Sequence, residues 1–249
     1  MCLIVIGWRV HPDYPLVVAA NRDEFHARPT APLARWPDSP GIIGGRDLVA
    51  GGTWLGLSDK GRFAAITNVR EPGMPEGECS RGKLTWDFLR STLAPMEFAE
   101  QIEGQRYSGF NLLLADEHDL VYCSNRDGAP RLLEAGVYGL SNHLLDTPWP
   151  KLIAARQRFS EALPGLPDET AFFDLLSDRR LADDKDLPNT GVSIEWERLL
   201  SAIFVSSENY GTRASTVLWR RSDGAFALHE KSFGPNGPGA QASVISTSV

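Results

Sequence analysis

Short apolar runs separated by turn-forming residues recur along the chain and predict a fold rich in antiparallel strands. Residues 2–8 and 16–20 are two such runs, divided by a segment whose two prolines cannot continue a sheet ladder, so they predict an N-terminal hairpin. Apolar runs and turn signals predict three further hairpins, formed by residues 54–57 with 62–68, 109–115 with 120–124, and 215–220 with 225–231. A single strand is predicted at residues 136–141.

Helical spacing is clearest after Pro150, where Leu152, Ala155, Phe159 and Leu163 form one apolar stripe. Shorter helices are predicted at residues 82–92, 95–102, 171–176 and 194–202. The proline- and glycine-rich segment 28–53 predicts a long loop or a set of turns, and 236–249 predicts a flexible tail after a single domain over 1–235. Strands and helices do not alternate regularly, which indicates an α+β fold of antiparallel sheets covered by helices.

Composition narrows the class of protein. With 249 residues, 42% of them hydrophobic and 23% charged, the chain has the composition of a globular domain, and its net charge of −7 disfavours nucleic acid and anionic membranes as partners. Three cysteines without CxxC spacing indicate a reducing compartment, and we expect a cytoplasmic protein. No apolar stretch approaches the roughly 18 residues of a membrane span, and the five histidines have no metal-site spacing.

Cys2 is the first candidate for chemistry. Removal of Met1 would give this residue a free α-amine with a pKa of about 7.7–8.0, which can accept the proton of a thiol whose pKa is about 8.5. Nucleophile and base would then belong to one residue, so no separate histidine is needed. The alternative is a packed small residue that opens a strand.

A polar cluster at residues 21–24 follows the second strand of the hairpin. Because that strand returns to the level of Cys2, Asp23 is placed to hold the α-ammonium group, and Arg22 to lower the thiol pKa or to bind an acyl or carboxylate group. A solvated strand end with a turn cap is the alternative.

Three later residues carry weaker signals. Asn68 ends one predicted strand and Asn142 follows another, and a side-chain amide at such a position can donate to an oxyanion. Arg213 can supply a cation that faces the substrate. The alternatives are turn-forming asparagines and a surface ion pair.

Taken together, these motifs resemble the NRDE family, also called the transport and Golgi organisation 2 family. The matching segments are Met1-Cys2, 20–25, 51–56, 67–70, 80–82, 110–113, 139–142, 148–151 and 210–213, which cover most of the chain in order.

That family is in turn similar to the cysteine N-terminal nucleophile hydrolases, which implies a four-layer αββα sandwich of mainly antiparallel sheets. The resemblance implies a catalytic set of Cys2, Asp23, Asn68, Asn142 and Arg213, and substrate-binding candidates Asn21, Arg22 and Trp54. The chain departs from the hydrolase pattern at Ala20, where those enzymes have an arginine.

Three functions follow from the resemblance. The first is an amidohydrolase-like protein that acts on an amide or acyl bond of a small molecule and needs no cofactor for hydrolysis. The second is a non-enzymatic protein that binds or traffics haem in the same pocket. The third is a trafficking adaptor that uses its surface.

Overall fold

The computed structural model describes residues 2–247, which form two antiparallel sheets. The first has six strands in the order β10-β1-β2-β11-β12-β13, which are β10 (Gly136–Leu140), β1 (Cys2–Trp8), β2 (Leu16–Phe25), β11 (Tyr210–Arg220), β12 (Phe226–Gly234) and β13 (Gly237–Ser246). The second has seven strands in chain order, which are β3 (Thr30–Trp36), β4 (Ser39–Asp47), β5 (Leu55–Ser58), β6 (Phe63–Asn68), β7 (Phe110–Ala115), β8 (Leu120–Ser124) and β9 (Arg131–Leu132).

Helices cover the outer face of each sheet. The helices are α1 (Gly82–Arg90), α2 (Pro95–Glu100), α3 (Pro150–Ala162), α4 (Thr170–Leu176) and α5 (Ile194–Leu199). Helices α1 and α2 pack on the second sheet, and α3 and α4 pack on the first. The result is the four-layer αββα sandwich expected from the sequence. None of the helices in the described range combines the length and apolarity needed to cross a membrane.

Strand β1 shows why the layers form. Its side chains point alternately to the two faces of the sheet, so Ile4 and Ile6 pack between the sheets whereas Leu3 and Val5 pack against α3 and α4. All four are fully buried. A continuous apolar run is therefore what a strand in this middle layer requires.

The segment 28–53 contains strands β3 and β4, so the prediction of a loop there is wrong. Strand β3 is the edge of its sheet, where a proline is tolerated because one side of the strand needs no partner, and Pro32 lies at a register shift between Ala31 and Ala34. Gly44 permits a close approach of β5, since a Cβ atom there would lie 2.7 Å from the Leu55 carbonyl oxygen.

The predicted tail over 236–249 is also wrong for most of its length. Gly237–Ser246 is strand β13, which pairs with β12 across a two-residue turn at Pro235 and Asn236. Gly237 has a φ of 101°, a conformation that suits glycine. Main-chain hydrogen bonds hold β13 to β12. The side chains of β13 are mostly exposed and weakly hydrophobic, so the sequence gave little indication of a strand. Residues 248 and 249 lie outside the described range.

Candidate active site

Cys2 lies at one end of the space between the two sheets. It pairs with Arg22 across the β1–β2 hairpin, as the hairpin geometry predicts, and alternation places its side chain on the same face as Ile4 and Ile6. Beyond this end of the apolar layer is a cavity of about 380 Å³. Its lining includes Cys2, Arg22, Asp23, Thr53, Trp54, Asn68, Arg81, Arg213 and Glu230.

The charge state of the Cys2 thiol reflects opposing influences. Burial raises its pKa, and the Asp23 carboxylate adds to that rise. The positive amino terminus, Arg22 and a hydrogen bond from the Asp23 main-chain N–H to the sulfur act in the opposite direction. The net pKa is raised, so the thiol needs a base before it can act as a nucleophile.

Asp23 supplies a buried carboxyl group one residue beyond Arg22, the strand partner of Cys2. Strand β2 continues through this residue to Phe25, so the polar cluster belongs to the strand and does not follow it. Thr212 Oγ1 donates to Asp23 Oδ1 over 2.7 Å. Burial raises the Asp23 pKa, while the amino terminus, Lys151 and Thr212 lower it. The carboxylate form of Asp23 therefore depends on the cations around it.

Asn68 and Asn142 form a hydrogen-bonded pair that joins the two sheets. Asn142 Nδ2 donates to Asn68 Oδ1 over 2.9 Å and to the Asn68 main-chain oxygen over 3.2 Å. This contact fixes the orientation of the Asn68 amide, and among residues 2–247 its Nδ2 has only a long 3.4 Å bond to the Val69 oxygen. Asn68 lines the cavity, whereas Asn142 is fully buried behind it. The geometry makes Asn68 the available donor and Asn142 its positioning partner.

The neighbouring Ser141 ties this pair to Cys2. Its Oγ lies 3.0 Å from the Cys2 carbonyl oxygen and 3.2 Å from Asn142 Oδ1, so its single O–H can donate to either acceptor or be shared between them. The Cys2 main chain is thereby held from the β10 side as well as by its pairing with β2.

Arg213 lines the cavity, but its guanidinium group is occupied by the protein. Nη1 donates to the main-chain oxygens of Phe25, His26 and Arg28, and Nε donates to that of Phe233, over 2.9–3.2 Å. These contacts clamp the turn that follows β2. The structure thus gives Arg213 a supporting position rather than the substrate-facing one expected from the sequence.

The two remaining substrate-binding candidates lie in different places. Trp54 is half-buried and lines the cavity. Asn21 lies on the opposite face of β2, fully buried, where its Nδ2 donates to the oxygens of Leu176 and Ile203 over 2.8 Å. Since side chains alternate along a strand, Asn21 faces the helices while its neighbour Arg22 faces the cavity. Asn21 therefore lies outside the cavity, and its prediction as a substrate-binding residue is not supported by its position.

Two cations near the site were not recognised from the sequence. Arg81 precedes α1 and lines the cavity, and Lys151 lies fully within the protein on α3, where its Nζ donates to the Leu200 oxygen over 2.9 Å. Burial lowers the Lys151 pKa to about 8, and Asp23 opposes that shift. Both residues lie in segments that resemble the family, 80–82 and 148–151, and this resemblance was the only indication in the sequence that they could belong to the site. An isolated basic residue at the start of a helix normally lies on a solvated surface.

A second, more apolar groove of about 480 Å³ adjoins the cavity and shares Glu24, Asn68 and Arg81 with it. Its walls include Phe25, Met74, Val192, Trp196 and Tyr210. The site thus offers a polar chamber beside an apolar surface.

Comparison with known sequences agrees with this arrangement. The profile of the family described as Transport and Golgi organisation 2 matches residues 1–235. The chain is 35% identical to the Transport and Golgi organization protein 2 homologs of Bos taurus and of Homo sapiens, in each case over 93% of both chains. It is 27% identical to Transport and Golgi organization protein 2 of Drosophila melanogaster over 64% of both chains.

Solved structures show the fold. An N-acylethanolamine-hydrolyzing acid amidase ortholog from Caenorhabditis elegans superposes with a TM-score of 0.53 at 14% identity, covering 87% of this chain and 92% of its own. A mutant conjugated bile acid hydrolase from Clostridium perfringens superposes with a TM-score of 0.55 at 8% identity, covering 98% of this chain and 92% of its own. The sandwich is that of the N-terminal nucleophile hydrolases.

Proposed function

Because this chain belongs to the Transport and Golgi organisation 2 family and has the N-terminal nucleophile hydrolase fold, we propose that it hydrolyses an amide or related acyl bond of a small molecule. One observation supports the proposal most strongly: Cys2 and Asn68 line the same cavity, and Asp23 lies in its wall next to Arg22, on the strand that pairs with Cys2. A fold alone does not determine a reaction, whereas the placement of these side chains bears on it directly.

The reaction begins with a proton transfer within Cys2. After removal of Met1, the free α-amine accepts the thiol proton, and the thiolate attacks the acyl carbon of the substrate. The C–S bond forms as the carbonyl π electrons move to oxygen, where Asn68 Nδ2 donates to the oxyanion. Collapse breaks the C–N bond, and the α-ammonium returns its proton to the leaving amine.

Water completes the cycle. It attacks the thioester with the α-amine as general base, the C–S bond breaks, and the carboxylic acid product leaves with the thiol restored. Asp23 orients the α-amine and stabilises its ammonium form, which exists each time the amine has accepted a proton, first from the thiol and later from water. The adjoining apolar groove provides a surface for the acyl part of a substrate.

The proposal requires processing of the chain and a covalent intermediate. Intact mass spectrometry of the purified protein is expected to show loss of Met1. Incubation with an activated acyl amide is expected to add one acyl group, which peptide mapping places on Cys2. Retention of Met1, or acylation of Cys79 or Cys123 at the same rate, would count against the enzyme.

Variants then separate the roles. Cys2→Ala is expected to abolish turnover, and Asn68→Ala to lower kcat by about 10²–10³, the usual effect of losing an oxyanion donor. Cys79→Ala is the matched control, because this thiol lies outside the cavity lining. Equal loss of activity in the control variant would show that the assay does not report on Cys2.

Haem binding in the same cavity is the alternative function, and the lining residues support it less. Cys2 offers a thiolate, but none of the five histidines lies among the residues that line the cavity. Titration with haem should give a saturable absorbance change that Cys2→Ala removes if this function is correct.

A further inference from the structure

We propose that the substrate of this site carries an anionic group, a carboxylate or a phosphate, which binds between Arg22 and Arg81 inside the Cys2 cavity. This inference rests on the proposed function for the bond that is broken, but the binding step itself needs no turnover.

Arg22 is a buried cation whose hydrogen bonds are incomplete. It is 9% exposed, lines the cavity, and lies directly across the hairpin from Cys2. Its Nη1 is buried and has no hydrogen-bond partner within the described chain. Its ion-pair contacts, 3.7 Å to Glu24 and 4.0 Å to Asp47, are longer than the roughly 2.7–2.9 Å of a charge-assisted hydrogen bond.

Asp47 cannot improve its contact with Arg22 without losing others. Its Oδ2 already accepts from Arg28 Nη2 over 2.8 Å and from Arg28 Nε over 2.9 Å, and its Oδ1 accepts from the main-chain N–H groups of Val49 and Ala50. The carboxylate is therefore held toward Arg28, and the Arg22 guanidinium keeps hydrogen-bond donor capacity that a ligand could use.

Arg81 provides a second cation in the cavity lining, from the residue that precedes α1. Its Nη1 donates to the Gly109 main-chain oxygen over 3.1 Å, and within residues 2–247 it makes no ion pair. Burial lowers its pKa, whereas Cys2 and Glu24 raise it, which places the guanidinium within electrostatic reach of the thiol. An anion between Arg22 and Arg81 would thus lie next to the nucleophile.

The other cations that line the cavity already have partners. Arg46 pairs with Asp38 at 2.8 Å and stacks over Trp36, Arg28 holds Asp47, and Arg213 holds main-chain oxygens. A bound carboxylate or phosphate can give a buried guanidinium two parallel charge-assisted hydrogen bonds, which the 3.7 and 4.0 Å contacts to Glu24 and Asp47 do not give Arg22. Arg22 and Arg81 are therefore the pair that a substrate anion completes.

The test measures binding in the Cys2→Ala variant, which cannot turn over. Three probes share one acyl chain: N-hexanoylglycine, the phosphate monoester of N-hexanoylethanolamine, and neutral N-hexanoylethanolamine. Calorimetry is expected to show at least one anionic probe binding about tenfold or more tightly than the neutral probe, the effect of one charge-assisted hydrogen bond or more. Whichever anionic probe binds more tightly identifies the preferred anion as a carboxylate or a phosphate.

Variants assign the effect to the two arginines. Arg22→Met and Arg81→Met, each in the Cys2→Ala background, are expected to reduce the advantage of the anionic probe about tenfold, while exposed Arg106→Met leaves it unchanged. Rising salt should also weaken only the anionic probes, a measurement that needs no further variant. Equal affinity for charged and neutral probes, or an equal effect of Arg106→Met, would overturn the inference.

Hydrolysis of the same probes by the protein with Cys2 intact separates this inference from the proposed function. Tight anion binding without hydrolysis would leave the anion site standing and contradict the amidohydrolase. Hydrolysis of the neutral probe, without tighter binding of the charged probes, would support the amidohydrolase and contradict the anion site.

Discussion

Cys2 and Cys123 are buried to nearly the same extent, 7% and 6% exposed, yet their surroundings differ completely. Cys123 packs in the apolar cluster under α1 and α2, and burial alone raises its pKa to about 11. The Cys2 thiol is also desolvated, but it borders a cavity and is influenced by Arg22, Asp23 and the amino terminus. Burial by itself thus makes a thiol inert, and nearby charges decide whether it can react.

The largest expected difference between the two regions is in stability. Phe88→Ala in the Cys123 cluster removes a fully buried ring that contacts Phe98 and Arg62, and should cost about 3–5 kcal/mol. Arg22→Met at the cavity should change the free energy of unfolding by roughly 1 kcal/mol or less, because an apolar side chain relieves a buried charge with an unpartnered nitrogen. Urea unfolding measures both, and a cost for Arg22→Met as large as that for Phe88→Ala would contradict the comparison.

Alkylation rates compare the two thiols directly. At about pH 8 only roughly one Cys123 thiol in a thousand is ionised, given its pKa of about 11, and Cys123 lines neither the cavity nor the adjoining groove. Iodoacetamide is therefore expected to modify Cys2 of the processed protein about a hundredfold faster than Cys123, as measured by peptide mapping. The same measurement in denaturing urea should give similar rates for both, and similar rates in the folded protein would break the comparison.

Arg213 tests whether every arginine of the cavity has the same role. Arg213→Met leaves four main-chain oxygens without this donor and should lower the free energy of unfolding by about 1.5–3 kcal/mol, as for hydrogen bonds to charged groups. Arg106→Met, at an exposed site, should change it by less than about 0.5 kcal/mol. If Arg213→Met leaves stability unchanged while abolishing ligand binding, the supporting position assigned to this residue is wrong.

The smallest expected effect concerns Glu230, a cavity residue whose pKa is raised by burial. Such a carboxyl stabilises the native state while it is protonated, and that contribution is lost as the pH rises through its folded pKa. Glu230→Gln should therefore raise the Tm by about 2–4 °C near pH 7.5, which corresponds to roughly 1 kcal/mol for a chain of this length.

The same substitution supplies its own control. Near pH 4, below the ordinary pKa of 4.5, Glu230 is protonated in both states, so Glu230→Gln should then leave the Tm unchanged. A gain of equal size at both pH values would show that the effect comes from packing and not from charge.

Local patterns predicted much of the sandwich. The β1–β2 hairpin and α3 begin where the sequence predicts them because an unbroken apolar run and an apolar stripe with a period near 3.6 each have one way to be buried. Strands β3, β4 and β13 were missed because their partners supply most of their stabilisation, and their prolines, glycines and exposed side chains indicate loops when considered alone.

At the candidate site, the sequence by itself determined that a thiol would open the first strand and that the hairpin would bring residues 21–23 to its level, since both follow from neighbours along one ladder. Only the tertiary structure decided that Arg22 faces a cavity while Asn21 faces the helices, that Arg213 is taken up by main-chain oxygens, and that Arg81 joins the site from before α1. These outcomes depend on how two sheets and their helices stack, which brings together residues far apart in the chain and which no local pattern encodes.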